Sequence, residues 1–297
     1  MSSTALTQQR KSETAKRVEA IVKGTPMRLV IITVILIWTL PTVGLLVSSF
    51  RTQTAIANSG WWAGLAEIGN LEQWTFGNYQ RVAFADNMAD AFLNSLLVAL
   101  PATVIPITIA AFAAYGIAWM TFPFRQTIFV LIVGLLVVPL QMALIPILRI
   151  YTRLQLNGTF LGIWLAHTGF GLPLATYILY GYISSIPRSI IESAEADGAT
   201  PWMLFTRLIL PLSVPAIASF AIFQFLWVWN DLLVALVFLG TQTPIVTTRL
   251  AELVGSRGQD WHVLTAGAFM TMIMPLIVFF SLQRYFVRGM MAGSVKG

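Results

Sequence analysis

Residues Ile128-Phe-Val-Leu-Ile-Val-Gly-Leu-Leu-Val-Val138 run without one polar or charged side chain. A strand of a membrane barrel alternates between lumen and lipid and would alternate polar with apolar. An unbroken apolar run is instead a helix in lipid, where each backbone N–H must be satisfied within its own segment. A helix needs about 20 apolar residues to cross a bilayer. That criterion selects six spans, at roughly 29–50, 91–119, 127–149, 159–182, 209–238 and 263–284. Pro101, Pro106, Pro139, Pro146, Pro173 and Pro215 lie inside or near them. Membrane helices tolerate proline when neighbours re-satisfy the freed carbonyls.

The composition agrees with a polytopic membrane protein. Of the 297 residues, 57% are hydrophobic and only 10% charged, against about 25% charged in a soluble domain. The absence of cysteine excludes disulfides and thiolate metal sites. His167 and His262 are isolated, which argues against a metal cluster. The net charge of +6 needs no nucleic acid to explain it, because lysine and arginine flank membrane spans. Residues 1–28 are polar and basic and read as a cytoplasmic tail, not a signal peptide.

Basic residues set the orientation. With the N-terminus inside, twelve of the 18 lysines and arginines face the cytoplasm, among them Arg125, Arg188, Arg207, Arg284 and Arg288. The remaining six, Arg51, Arg81, Arg149, Arg153, Arg249 and Arg257, face outward. Both termini are therefore expected in the cytoplasm. The chain divides into the tail 1–28, a first span with its outer segment at 29–90, a core transmembrane domain at 91–284, and a tail at 285–297. The outer segment carries Trp61, Trp62, Trp74, Phe76 and Tyr79. They form either an interfacial aromatic belt or a surface folded against the bilayer or a partner. Residues 239–262, rich in glycine, threonine and charge, read as an outer loop.

A polar island interrupts the apolar pattern between the fourth and fifth spans. It begins Glu192-Ser193-Ala194-Glu195-Ala196-Asp197-Gly198-Ala199 and ends Leu208-Ile209-Leu210-Pro211. Ser189 is placed to cap a first short helix, and Asp197-Gly198 to stop it, since glycine reaches positive φ without penalty. Thr200 then caps a second helix with Pro201 at its first position. Two short helices spanning 188–208 result, with small alanines that let a partner approach and a carboxylate, Glu192, that can meet a cation.

The pattern Glu-x-Ala-x-x-Asp-Gly, nine residues, then Leu-x-Leu-Pro resembles the coupling signature of ABC importer permeases. Glu192, Ala194, Gly198, Leu210 and Pro211 are in register with it, while Ser193 and Leu208 depart from the usual alanine and isoleucine. The resemblance extends over residues 28–297 to the second permease of maltose-type sugar importers. It rests on Phe76-Gly-Asn-Tyr79, Asn94-Ser95, Trp227-Val-Trp-Asn-Asp231 and the terminal Met291-Ala-Gly-Ser-Val-Lys-Gly297. The Trp227–Asp231 run and Gly255-Ser-Arg-Gly-Gln-Asp-Trp261 look most like the α-glucoside subgroup.

That resemblance implies an all-α type I permease fold of six transmembrane helices, both termini cytoplasmic, in a bacterial inner membrane. It implies a heterodimer with a second permease, a cytoplasmic ATPase dimer and a periplasmic or extracellular sugar-binding protein. Glu192, Ala194, Asp197, Gly198, Leu210 and Pro211 would seat in the ATPase. Gly255, Ser256, Gly258, Gln259 and Asp260 would enter the cleft of the binding protein. The tail, with Gly293, Ser294 and Lys296, would run extended between the ATPase domains. ATP and Mg would lie on the ATPase, with no cofactor on this chain.

Polar groups at membrane depth are costly and face a cavity or another helix. Asn94, Gln141, Gln224, Trp229, Asn230 and Asp231 are accordingly either a sugar path or helix–helix glue. His167 reads as a packed, hydrogen-bonded histidine, and Met270, Met272 and Met274 as lipid-facing or packing residues. No G-x-x-x-x-G-K-[ST] loop is present to hold ATP, and no catalytic triad or carboxylate pair suggests hydrolysis. An ion-coupled secondary transporter is the competing reading, though no repeat is visible and Asp231 is nearly alone among the spans. A membrane-embedded enzyme is a third. The sugar is expected to be an α-glucoside, with glucosylglycerol or a sulfosugar as alternatives.

Overall fold

The computed structural model describes the backbone of residues 25–256 and 260–294. Among these residues the regular structure is helical, apart from one isolated β-bridge between Arg51 and Trp74. The chain forms two compact units.

The first unit comprises residues up to Asn78 together with Asp260–Ala266. A long helix, α1 (Thr25–Ser49), leads into two short ones, α2 (Gln53–Asn58) and α3 (Trp61–Ala66). Arg51 organises this segment from the inside, being only 2% exposed. Its guanidinium donates to the carbonyls of Gly60 (2.8 Å), Ser59 and Ala55 (both 3.1 Å) and to Ser59 Oγ (2.7 Å). Asn78 Nδ2 donates to the carbonyls of Ser49 and Arg51, both at 2.9 Å. An arginine that counts as an outer surface charge in the sequence is thus a buried hub. Trp62, Ile68, Leu71 and Phe76 remain exposed around it.

Of the described residues, the second unit holds 79–256 and 267–294. Its core is α4 (Met88–Trp119) packed along α7 (Phe160–Ile183), with α10 (Val214–Trp229) against both. Ala91, Ala99, Ala102, Ala110, Ala111 and Ala114 of α4 are buried, as are Ala166 and Ala175 of α7. Small residues let membrane helices approach closely where apolar burial offers little. Further elements are α5 (Arg125–Gly134), α6 (Leu140–Arg153), α8 (Arg188–Ala196), α9 (Pro201–Leu212), α11 (Leu233–Phe238), α12 (Val246–Ser256) and, from Gly267 onward, α13 (Trp261–Ser294).

Among the described residues, three helical stretches are long and apolar enough to cross a membrane: Met27–Ser49, Met88–Trp119 and Trp261–Gln283. Two bent pairs raise the number to five. The helix at the fourth expected span has 24 residues but carries His167, glycines and tyrosines, and is not among the three.

Two expected spans are corrected. The third, 127–149, is not one helix but turns through 103° between α5 and α6. Pro139 has no N–H and disfavours helical geometry in the residue before it, and Val138 is extended, at φ −73 and ψ 116. The fifth, 209–238, bends by 68° between α9 and α10. It is interrupted again at Asn230–Leu232 before α11.

The outer loop 239–262 also differs from expectation, because it contains α12. Val246 and Leu253 are buried on one face of it, a helical spacing hidden among threonines and charges. Gly289–Ser294 are helical rather than extended, since α13 continues through both glycines.

Candidate functional site

The polar island forms the helical hairpin of α8 and α9. Asp197 closes α8, and Gly198 turns the chain with φ at +83. Nothing lies within 4 Å of a Cβ added there, so the turn requires glycine for its dihedral and not for space. Thr200 Oγ1 accepts from Met203 N at 3.3 Å and Pro201 opens α9, as the spacing predicts. The entry to α8 is different. Pro187 holds the cap position with no side-chain bond, and Ser189 lies inside the helix.

Residues Leu204–Ile209 widen into a π-helix, with Leu210 N bonding back to the carbonyl of Phe205. The cause is Pro211, which has no N–H to offer the carbonyl four residues earlier and whose ring would clash with it. The underside of the hairpin is apolar. Ile191, Leu204, Phe205 and Ile209 are buried against Ala110, Ala114 and Tyr115 of α4 and Leu179 and Ile183 of α7. Tyr115 Oη donates to the carbonyl of Pro201 at 2.9 Å. The hairpin is therefore fastened to the core helices.

Its outer face is open. Glu192, Glu195, Asp197 and Gly198 are exposed, and Trp202 is 64% exposed beside them. Glu192 meets Arg188 at 2.8 Å, with side chains 59% and 82% exposed. Such a surface pair is worth about 0.5 kcal/mol, little enough for an incoming cation to replace Arg188. Ala194 is half-buried, as is Leu210, while Pro211 is exposed. Carboxylates and an indole on a rigid base suit a protein groove carrying basic and apolar groups.

The polar residues of the membrane core separate into two sets. Pro106 has no N–H for the carbonyl of Ala102, and Gln224 Nε2, from α10, donates to that carbonyl at 3.2 Å. Pro101 frees the carbonyl of Leu97, and Trp164 Nε1 donates to it at 2.8 Å. Pro275 frees the carbonyl of Thr271, and Trp229 Nε1 donates to it at 2.9 Å. Three prolines inside long helices are thus each compensated by a side chain from another helix, which is how such prolines survive in lipid. Gln224 is 1% exposed and Trp229 2%, and Trp229 is also covered by Phe92 and Phe225. Both act as glue in this conformation.

Asn94 Nδ2 donates to the carbonyl of Pro244 at 2.9 Å. Asp231 caps α11, its carboxylate accepting from Val234 N (3.2 Å) and Ala235 N (2.9 Å). Asn230 is exposed, bonded to the carbonyl of Leu226 at 2.7 Å, and Gln141 is exposed at the start of α6. His167 is packed as expected but is not hydrogen-bonded at either nitrogen. Its ring meets the edge of Trp227, whose sequence neighbours gave no sign of this pairing.

The 103° elbow borders a half-open cavity of about 680 Å³, lined mainly by apolar side chains of α6 and α7, by Tyr151 and by Trp227. Sequence reasoning misses it because the elbow itself is tertiary. Of the outer-loop residues, Gly255 and Ser256 close α12, and Asp260 Oδ1 accepts from Gln53 Nε2 at 3.2 Å. Gly293 and Ser294 end α13. Gly258, Gln259 and Lys296 lie outside the described residues.

Residues 106–292 match the family described as binding-protein-dependent transport system inner membrane component. The chain is 59% identical to the osmoprotective compounds uptake permease protein GgtD of Synechocystis sp., over 91% of this chain and 92% of that one. It is 43% identical to the alpha-glucoside transport system permease protein AglG of Rhizobium meliloti, over 91% and 97%. Identity to the trehalose transport system permease protein SugB of Mycobacterium tuberculosis is 34%, over 75% and 82%. A bacterial ABC transporter involved in import of the acidic polysaccharide alginate has a chain of the same fold. It aligns with a TM-score of 0.70 at 20% identity, covering 92% of this chain and 98% of that one.

Proposed function

Because the chain belongs to the family of binding-protein-dependent transport system inner membrane components, we propose that it is one of two permease subunits of an ATP-driven importer of α-glucosides. The observation that carries the reading is the α8–α9 hairpin, an exposed acidic face over a buried apolar base. Glu192, Ala194, Asp197, Gly198, Leu210 and Pro211 form the seat for a separate cytoplasmic ATPase, on which ATP and Mg bind. The chain lies in a bacterial inner membrane with six spans and both termini in the cytoplasm. Its outer loop, from Gly255 to Asp260, faces the solute-binding protein, and its last residues, Gly293, Ser294 and Lys296, reach the ATPase dimer. Alternating access of the two permeases opens the path to each side in turn.

The α-glucoside class is supported by the AglG and SugB relatives. A second reading, import of another small glycoside such as glucosylglycerol, stands beside it, because the name of the 59%-identical GgtD relative gives osmoprotective compounds as its cargo. The test is reconstitution of the two permeases, the ATPase and the binding protein in liposomes, with uptake of trehalose, sucrose, maltose and glucosylglycerol measured separately. Uptake that needs ATP and the binding protein is the expected result. Uptake by this chain alone in an ion gradient would overturn it, and the preferred sugar decides between the two substrate readings.

A further inference from the structure

The entry to α12 is held by three side chains of the same unit. Asn94 Nδ2 donates to the carbonyl of Pro244 at 2.9 Å, and Ser95 Oγ accepts from Val246 N at 2.9 Å. Thr247 Oγ1 donates to the carbonyl of Asp231 at 2.6 Å. The first two bonds fasten α12 to α4. The third has no part in capping α12, whose Ile245 N–H is taken by Thr248 Oγ1 at 2.9 Å. It reaches instead to the break between α10 and α11.

The carbonyl of Asp231 is a freed acceptor. In a continuous helix it would receive Ala235 N, but that N–H is taken by the Asp231 carboxylate at 2.9 Å. Thr247 supplies the missing donor. On its other side Asp231 faces the core, with Oδ2 3.9 Å from Nε2 of His167. His167 is 1% exposed and its ring stands at 84° to that of Trp227, centroids 5.7 Å apart. Trp227 forms part of the wall of the elbow cavity. A packed line therefore runs from α12 through Thr247, Asp231 and His167 to the cavity. Closely packed interiors transmit displacement and do not absorb it.

We propose that Thr247 is a positioning residue for transport: it ties α12 to the Asn230–Leu232 break, so that moving α12 re-seats Trp227 in the cavity wall. The displacing partner is the sugar-loaded binding protein, which rests on the reading above that α12 belongs to an outer loop. The hydroxyl of Thr247 allows a direct measurement of this coupling.

Thr247→Val removes the hydroxyl at constant shape, and Thr247→Ser restores it. Both are made in the full complex in liposomes, with the binding protein loaded in turn with trehalose, sucrose, maltose and glucosylglycerol. Basal ATPase and binding-protein-stimulated ATPase are read separately. Thr247→Val is expected to lose stimulation by about three- to tenfold, the effect of one net hydrogen bond, with the basal rate unchanged. Thr247→Ser is expected to regain most of it. Wild-type stimulation of Thr247→Val overturns the proposal. So does an equal fall of basal and stimulated rates in both variants, which marks structural damage. A wild-type complex that no loaded binding protein stimulates overturns the importer reading and the role of Thr247 with it, and does so before any substitution is made.

Discussion

The side-chain amide of Gln224 donates to the carbonyl of Ala102 across 3.2 Å, and that carbonyl is the one Pro106 leaves without a helical donor. Helix α7 leaves room for the amide only because it has glycine at 171, where a Cβ would stand 2.6 Å from Nε2. Three helices meet at one compensated defect. Gln224→Leu is expected to destabilise the protein by about 1–3 kcal/mol, the cost of a buried acceptor left unpaired. Pro106→Ala, which returns the missing N–H, should recover part of that loss in the double variant. Thermal unfolding in detergent measures the cycle, and strictly additive effects would contradict the pairing.

The turn at Gly198 separates dihedral from space. An alanine there meets no atom within 4 Å, yet φ is +83. Gly198→Ala should cost about 1–2 kcal/mol from the left-handed geometry, and Gly198→Asn, which visits that region, distinctly less. Sugar-stimulated ATPase should fall in the same order while assembly of the permease pair persists. Equal activity in both variants would show that the hairpin angle does not matter for coupling.

Asp231 is a helix cap, accepting two backbone N–H groups at the start of α11. Asp231→Asn keeps one of the two acceptor oxygens and should lose less stability than Asp231→Ala. Asp231→Ala should lose about 1 kcal/mol. If the asparagine variant is as damaged as the alanine one, the negative charge itself is required and the cap is not its main role.

Arg51 holds the first unit together through carbonyls of Ala55, Ser59 and Gly60. Arg51→Met fills similar space but leaves those acceptors unpaired, at a cost of about 3 kcal/mol. Limited proteolysis should then cut within residues 52–76 while the second unit stays protected. Wild-type resistance would mean that the hub is dispensable.

Much of the chain is legible from local sequence. Apolar runs longer than a bilayer crossing leave helix as the only way to satisfy the backbone in lipid, and α1, α4 and most of α13 follow. The α8–α9 hairpin is also local, since Gly198, Thr200 and Pro201 act within a few residues of themselves. The cap at Ser189 failed because Pro187 already terminates the preceding turn.

Which prolines break a helix was decided only in three dimensions. Pro101 and Pro106 lie within the unbroken 32 residues of α4, while Pro139 stands at a 103° elbow. The residue is the same, but Trp164 and Gln224 reach the carbonyls freed in α4 from elements far along the chain. The role of Thr247 has the same origin, since it donates to the Asp231 carbonyl that the break before α11 left without its helical donor. A sequence shows that such a group must exist, and only the tertiary structure shows which side chain arrives to meet it.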